Sequence, residues 1–276
     1  MVTQPDLPGH RGKPAPRPVA DAARELGREI LQPLKIRDPQ AVEQLLGLRA
    51  DVLVVAAYGQ IVPVKLLDGV RFGGVNVHAS LLPRWRGAAP IAAAILHGEA
   101  NTGVSIMQME AGLDTGPVFV ACEVPIAVDA TTPSLSAELA EVGAELLGAF
   151  LDQLAAGTQP HAVPQDQSLV TVAAQLTRAD GHIDWSRQSA IEIERMIRAL
   201  QPWPGVTAAV GGQDIRLCDA TVLSGDGEGH AAGEIVARRG EAIDVACATG
   251  VLRVTQVTPP NSRQMTAAAY LRGRRI

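Results

Sequence analysis

An uninterrupted apolar run, DVLVVAA at residues 51–57, constrains the fold more than any other segment. A strand without polar alternation is typical of a parallel sheet that helices cover on both faces. The run follows PQAVEQLL, whose apolar residues recur at helical spacing and whose preceding Asp38 suits a helix start. A helix followed directly by a buried strand indicates an α/β unit.

Strand-like and helix-like segments continue to alternate along the first half of the chain. The strand-like GGVNVHA from Gly73 precedes the helical AAPIAAAILHG, for which Gly98 is the expected C-terminal cap. The strand-like GVSIMQM comes next, and a long amphipathic stretch from Thr132 to Gly157 follows it. This alternation predicts an α/β domain with a parallel sheet over residues 1–164.

The second half of the chain has a different texture. Residues 165–201 are predicted to be a polar linker with one short helix, AIEIERMIRAL, that ends at the turn Pro-Trp-Pro-Gly. Residues 202–276 are predicted to form a small antiparallel β-barrel. Its short β-like runs are separated by turns that contain glycine, and they cover residues 206–210, 215–218, 233–237, 243–246 and 252–257.

Composition excludes several classes of protein. Hydrophobic residues make up 47% and charged residues 19% of the 276, which is the profile of a chain that buries a core. No apolar run approaches the roughly 18 residues that a membrane span needs, and the first segment lacks the apolar stretch of a signal peptide. We therefore expect a cytoplasmic protein that does not bind membranes.

The cysteines and the charge distribution give weaker constraints. The three cysteines are widely spaced, so buried thiols are expected rather than disulfides or a zinc site, and no metal is predicted. The net charge of −5 argues against bulk attraction to nucleic acid. From Val245 onward the chain has no acidic residue, so this end either binds phosphate or is a solvated tail. Its arginines are Arg253, Arg263, Arg272, Arg274 and Arg275.

Three polar residues fall at the ends of predicted strands. Asn76 and His78 alternate with valines, which puts both side chains on one face of the strand. Asp114 lies in the glycine-bracketed turn AGLDTGP, directly after GVSIMQM. Because ligands bind beyond the carboxyl ends of strands in such sheets, the three can share one site. An amide, an imidazole and a carboxylate are suited to carbonyl transfer.

Each of these signals has a purely structural alternative. An Asn-X-His pair on a strand often forms only structural hydrogen bonds, and an aspartate between glycines is often only a turn residue. The chain contains neither GxGxxG nor GxxxxGK[ST], so the fingerprints of dinucleotide and ATP chemistry are missing. The combination of the three residues therefore carries the prediction.

The long run NVHASLLPRWRGAAPIAAAILHGEANTGVSIMQMEAGLDTGP resembles the formyltransferase family. The resemblance extends over nearly the whole chain, through VTQPD near the start, VAAYGQIVP, IDWS, QPWPG and the tail PPNSRQMTAAAYLRGRR. It implies a Rossmann-like catalytic domain followed by a barrel that is similar to an oligonucleotide-binding fold. Asn76, His78 and Asp114 match the catalytic trio of the family.

The resemblance also implies the substrates. The formyl donor would be 10-formyltetrahydrofolate, and the acceptor would be the free amine of methionine on initiator tRNA, which serves initiation of translation. By the same analogy, the pterin lies against the backbone of the AAYGQIVP loop and near the AGLDTG turn, and the folate site also includes the loop SLLP. These residues are Ala57, Tyr58, Gly59, Gln60, Ile61, Ser80, Leu81, Leu82, Pro83, Gly112 and Leu113.

The tRNA is expected to meet basic residues at both ends of the chain and in the PRWRG loop. Arg84 and Arg86 either hold the charged substrate or brace their own loop. Arg11 and Lys13 occupy a stretch that grips the acceptor stem in the family, and the tail would add salt-dependent phosphate contacts through Arg272, Arg274 and Arg275. A monomer is expected.

The family pattern begins with a strand, a Gly-Thr-Pro type turn and a helix, ahead of the segment that matches VTQPD. About thirty residues, the size of one βαβ unit, are therefore expected upstream of Met1.

Relatives with the same trio use other acceptors: glycinamide ribonucleotide, a sugar nucleotide amine, or water. A different class of alternative is an RNA-binding module without turnover.

Overall fold

The computed structural model describes residues 1–5, 18–158, 160–224 and 229–272. The chain folds into two compact units. Unit 1 comprises Met1–His78, Ser105–Ala121 and Leu146–Asp166, and unit 2 comprises Ala79–Val104, Cys122–Glu145 and Gln167–Ile276. The predicted boundaries at residues 164 and 201 stay predictions, because each unit draws on separate stretches of the chain.

The described helices, in chain order, are α1 Pro18–Glu25, α2 Pro39–Gly47, α3 Val64–Asp68, α4 Pro90–Leu96, α5 Thr132–Ala155, α6 Ala190–Ala199 and α7 Ala267–Arg272. The strands are β1 Leu53–Val55, β2 Gly74–His78, β3 Arg86–Gly87, β4 Asn101–Gln108, β5 Val118–Pro125, β6 Val172–Ala173, β7 Val206–Val210, β8 Gln213–Leu223, β9 Ile235–Arg239, β10 Ala242–Ala246, β11 Val251–Thr258 and β12 Met265–Thr266. Most of the predicted elements are therefore present.

Local sequence explains where several elements begin and end. Asp38 is the N-cap of α2 as predicted, but its side chain makes no capping hydrogen bond to a described residue. The proline that follows it starts the helix, since its φ is already helical. Strand β1 is shorter than the predicted run 51–57, and just after its end Ala57 takes a left-handed φ of 45°. Gly98, with φ 65°, closes α4 as predicted.

The first sheet has the strand order β1-β2-β4-β5. Strands β1 and β2 are parallel, as the apolar run predicts, with Val55 opposite Asn76. Strand β4 runs antiparallel to β2, with His78 opposite Ser105. A purely parallel sheet is therefore wrong for this pair: a buried apolar run specifies burial on both faces, but it does not specify strand direction.

Unit 1 has two apolar clusters, one of which includes β2. One contains Val75, Ile106, Phe150 and Leu154, so the inward-facing valine of β2 packs with β4 and the C-terminal half of α5. The other lies around α2 and α3 and consists of Ile36, Leu45, Val62, Leu66 and Leu67. Each such side chain contributes about 1.5–3 kcal/mol when it is fully buried. The alternation that buries Val75 turns its neighbours Asn76 and His78 to a common face.

The second half of the chain contains an antiparallel sheet with the order β7-β8-β11-β10-β9, in which β12 also pairs with β11. The predicted antiparallel β domain is confirmed, and its closure into a barrel stays a prediction. Arg253 on β11 lies opposite Asp244 on β10 and donates two hydrogen bonds to its carboxylate, at 2.8 and 2.9 Å. This pairing raises the pKa of Arg253. The charge of Arg253 is thus offset, which weakens its expected part in a basic surface.

Candidate active site

Strand β2 holds its two polar side chains on a rigid backbone. The strand is hydrogen-bonded on both sides, to β1 and to β4. His78 is only 5% exposed, and Asn76, two residues earlier on the same face, is half-buried. A central strand with paired edges leaves these side chains little freedom to move, so their positions are set by the sheet.

The turn AGLDTGP folds tightly against the end of β4. A Cβ on Gly116 would lie 2.0 Å from the carbonyl oxygen of Gln108, and a Cβ on Gly112 would lie 2.3 Å from Oγ1 of Thr115. The backbone N–H of Gln108 donates a hydrogen bond to the carbonyl oxygen of Pro117 at 2.9 Å. These close approaches explain both glycines, because no larger residue fits without moving its neighbours.

Asp114 lies at the tip of this turn with a φ of 51°, a left-handed conformation that is uncommon outside glycine. One carboxylate oxygen, Oδ2, lies 3.7 Å from Nδ1 of His78, and the other, Oδ1, lies 3.5 Å from Nδ2 of Asn76. The carboxylate side chain is 15% exposed. The structure therefore brings together all three residues that the sequence predicts as a trio.

This arrangement combines a proton acceptor with two hydrogen-bond donors. The carboxylate of Asp114 can accept a proton, and it lies 3.7 Å from Nδ1 of the His78 imidazole, which can donate one. The amide of Asn76 can donate to a developing negative charge. Distances of 3.5–3.7 Å are longer than strong hydrogen bonds, as is common before substrate binds.

Gln165 is a site residue that the sequence patterns did not indicate. Its Nε2 donates to the carbonyl oxygens of Asp114 and Gly116, at 2.8 and 2.7 Å, and the residue is 9% exposed. Its segment is predicted from sequence to be a polar linker. The one available signal is a glutamine inside VPQD, and its role depends on a contact with residues about fifty positions earlier.

The loop predicted to contact folate, residues 57–61, has an unusual backbone. Ala57 and Gly59 both have positive φ angles, of 45° and 79°. The carbonyl of Tyr58 accepts a hydrogen bond from Nε2 of Gln4. Oε1 of Gln60 accepts from the amide of Ile36 at 2.8 Å. The loop is therefore held from two sides, and the side chain of Gln60 is occupied with bracing it.

Tyr58 carries an unusual polar group. Its phenol oxygen is buried and has no hydrogen-bond partner among the described residues. Burial raises the pKa of this phenol, so the hydroxyl stays protonated. A buried hydroxyl without a partner costs about 1–3 kcal/mol, and a bound ligand with a polar group can remove that cost.

A cleft of about 410 Å³ opens beside the same loop. Besides Gln60 and Ile61 of the predicted folate loop, two exposed cations, Lys35 and Arg37, line it. The remaining lining residues are Gln4, Pro5 and Leu34. Neither cation is predicted from sequence to have a role, because each is a single charge in the segment LKIRD. Their position suits a ligand with a carboxylate at one end.

The loop after β2 belongs to unit 2. Ser80 is fully buried, and its hydroxyl donates to the carbonyl of Arg84 at 2.6 Å, so the side chain braces the loop. The side chains of Leu81, Leu82 and Pro83 are half-buried. Of the predicted folate residues in the turn, Gly112 is exposed and Leu113 is 66% exposed. Contacts of all these residues with folate stay predictions.

The predicted tRNA-binding residues differ in their surroundings. Arg84 forms an ion pair with Glu99 and lies over the Trp85 ring at 5.4 Å. Arg86 is 6% exposed and lies 3.5 Å from Oε1 of Gln167, so bracing describes it better than phosphate binding. Arg272, at the end of α7, is exposed. Four others, Arg11, Lys13, Arg274 and Arg275, lie outside the described residues.

The described ranges hold no sites of two other kinds. No group of three or more His, Cys, Asp or Glu residues there is arranged to hold a metal ion. None of the helices that the structure describes has the length and apolarity needed to cross a membrane.

Family comparisons agree with this fold. Residues 1–151 match the family described as Formyl transferase, and residues 175–275 match the one described as Formyl transferase, C-terminal domain. The chain therefore belongs to the formyl transferase family.

Similar curated relatives are more specific. Methionyl-tRNA formyltransferase of Stenotrophomonas maltophilia is 45% identical over 276 residues, which cover all of this chain and 89% of the relative. The protein of the same name from Marinobacter nauticus is 43% identical over 274 residues, or 99% of this chain and 87% of the relative.

Solved structures show the same fold at lower identity. HypX from Aquifex aeolicus, in complex with tetrahydrofolic acid, matches with a TM-score of 0.66 and 20% identity over 91% of this chain and 43% of that chain. An N-formyltransferase from Helicobacter canadensis, in complex with folinic acid and dTDP-3-aminofucose, matches with a TM-score of 0.65 and 16% identity over 87% and 82%. At these identities the likeness concerns the fold alone.

Proposed function

We propose that this chain transfers the formyl group of 10-formyltetrahydrofolate to the amino group of methionyl-initiator tRNA, for initiation of translation. The observation that carries the proposal is the meeting of Asn76, His78 and Asp114 within 3.7 Å in a chain of this family. The similarity to methionyl-tRNA formyltransferases over nearly the whole chain supports the choice of acceptor.

Asp114 acts as the proton acceptor. The amine of methionine has to lose a proton as its nitrogen bonds to the formyl carbon, and the carboxylate receives that proton directly or through water. When the bond from the formyl carbon to folate breaks, the proton passes to the folate nitrogen. The products are formylmethionyl-tRNA and tetrahydrofolate, and no proton is gained or lost overall.

His78 and Asn76 stabilise the formyl oxygen, which becomes negative when the amine attacks. Each donor that points to such an oxygen lowers the barrier by about 3–4 kcal/mol. The burial of His78 strengthens this effect, since electrostatic interactions are stronger where water is excluded. The contact of its Nδ1 with Asp114 orients the ring for this purpose.

The loop 57–61 and the cleft beside it are suited to the folate. The buried hydroxyl of Tyr58 offers a polar group to the ligand, and Lys35 and Arg37 can pair with carboxylates of the glutamate tail. The backbone of Gly112 and Leu113 is proposed to border the same ligand. These residues are therefore proposed to bind 10-formyltetrahydrofolate, which is consumed as a substrate.

Basic residues are proposed to contact the phosphates of the RNA. The exposed Arg272 is the described candidate for phosphate contacts, whereas Arg84 is paired with Glu99. Such contacts depend strongly on salt and carry no sequence information. We propose that the protein acts as a monomer. We also propose that it acts in the cytoplasm, where methionyl-tRNA is available.

The test compares acceptors. The chain, and a form extended upstream in frame, are incubated with 10-formyltetrahydrofolate and methionyl-tRNA, glycinamide ribonucleotide, an amino sugar nucleotide, or no acceptor. Formylation of methionyl-tRNA alone is expected. Transfer to a small amine, or formyl release to water at a comparable rate, would contradict the proposal. RNA binding without transfer by either form would favour a non-enzymatic module.

A further inference from the structure

Gln165 connects two parts of the turn that carries Asp114. Its side-chain amide donates to the carbonyl oxygens of residues 114 and 116, at 2.8 and 2.7 Å. Both hydrogens of one NH₂ group are therefore used on one turn, and the 9% exposure shields them from water. A buried amide with two short hydrogen bonds resists displacement more than an exposed one.

The approach of Gln165 is fixed by the backbone. Val163 and Val118 exchange two hydrogen bonds, of 2.8 and 2.9 Å, in an isolated antiparallel bridge. Two residues later the chain reaches Gln165, beside the turn that precedes Val118. The bridge between Val163 and Val118, the first residue of β5, therefore positions Gln165 beside the turn.

The clamped turn holds Asp114 in a conformation that it would otherwise avoid. A left-handed φ of 51° is unfavourable for a residue with a Cβ, and it persists only when surrounding contacts enforce it. This conformation directs the carboxylate to His78 and Asn76. Loss of the clamp lets the turn relax and moves the carboxylate relative to both.

We propose that Gln165 is a positioning residue for formyl transfer, which acts on the reaction through the placement of Asp114. The inference rests on the proposed function, because the effect on catalysis assumes that Asp114 takes part in it. Gln165 itself contacts the turn through its amide and is given no chemical role.

The experiment uses Gln165→Met, which keeps the volume and removes the donor. The expected result is a fall in kcat of about 10- to 100-fold, since a displacement near 1 Å can cost that much, with KM for methionyl-tRNA and folate within about twofold. Gln188→Met is the matched control, because Oε1 of Gln188 also braces backbone, accepting from Asp184 at 2.8 Å. It should lower Tm without lowering kcat.

A double-variant comparison separates positioning from general damage. If Gln165 acts through Asp114, Gln165→Met added to Asp114→Asn causes no further loss of kcat. Additive losses, or an unchanged kcat in the single variant, would overturn the proposal. If Gln165→Met does not fold, Gln165→Asn, whose amide is one methylene short, is measured instead with the same expectation for kcat and KM.

Hydrogen exchange of residues 110–117 tests the clamp without any activity. Faster exchange there in Gln165→Met, with no change in α6, supports the clamp, and unchanged exchange overturns it. If neither the chain nor its extended form formylates methionyl-tRNA, the proposed function is contradicted, and the exchange measurement still decides whether Gln165 holds the turn.

Discussion

Asn76 and Asp114 are 38 positions apart in the chain, and Nδ2 of the first lies 3.5 Å from Oδ1 of the second. The contact exists because the turn after β4 folds back to the end of β2, its neighbour in the sheet. Two glycines and one glutamine make that turn possible. The placement of Asp114 is therefore a property of the turn as much as of the strands.

Substitution of Gly116 by alanine should damage the turn. The added Cβ would lie 2.0 Å from a backbone oxygen, so the backbone has to move, and a loss of about 1–3 kcal/mol in unfolding free energy is expected. Gly148→Ala in α5 is the control, since nothing lies within 4 Å of its Cβ, and it should stabilise by about 0.5–1 kcal/mol. Urea unfolding measures both, and equal effects would contradict the expectation.

Arg37→Ala should weaken binding of folates with a glutamate tail. An exposed ion pair contributes about 0.2–1 kcal/mol, so KM for the donor is expected to rise up to about fivefold, and the difference should shrink in high salt. Arg28, which is exposed but does not line the cleft, provides the control as Arg28→Ala. Equal KM changes in the two variants would remove the cleft from the folate site.

The start of α6 gives a prediction that depends on pH. Ser189 and Glu192 form a capping box, and the backbone amide and then the hydroxyl of Ser189 lower the pKa of Glu192 from its ordinary 4.5. Ser189→Ala should cost about 1 kcal/mol at pH 7.

A lowered carboxyl pKa stabilises the fold above its ordinary value and loses that effect as pH falls through the lowered value. The difference between wild type and Ser189→Ala should therefore shrink below about pH 4.5. Thermal melts at pH 7 and pH 4 check this, and a larger difference at pH 4 would be the contrary result.

Cys247 should resist alkylation. Burial raises the pKa of its thiol to about 11, so little thiolate is present at pH 8. Cys122 and Cys218 are half-buried and should react first. Peptide mapping after timed iodoacetamide treatment measures the order in which the three cysteines are alkylated. In urea, where the chain is unfolded, the three should react at similar rates. The buried thiol also makes the unfolding free energy depend on pH. Its contribution is fully present below the ordinary pKa of 9.0 and is lost as the pH rises through about 11.

Periodicity in the sequence was sufficient for several of the elements, although α1, α3, β5 and α7 were not predicted. The apolar spacing from Thr132 onward predicts a helix to Gly157, and α5 ends at Ala155. The trio was also predictable, because strand alternation and a turn at a strand end locate side chains within a sheet. The direction of β4 was not, since a buried strand has the same pattern in both directions.

Contacts between distant polar residues lay beyond the sequence. The ion pair of Arg84 with Glu99 and the clamp of Gln165 depend on how loops fold over the sheet. A basic residue in a loop looks the same whether it binds RNA or an acidic neighbour. Tertiary contacts of this kind decide between the functional and the structural alternative, and local pattern carries no information about them.

Single-turnover formylation of methionyl-tRNA by Asp114→Asn tests the central claim most directly. Asp152→Asn, which changes an exposed carboxylate of α5, is the matched control and should behave as wild type. Because Asp114 is proposed to receive the proton of the amine, its variant should be slower by about 10²- to 10⁴-fold with an unchanged fold. A rate within about twofold of wild type would contradict the proposed role of Asp114.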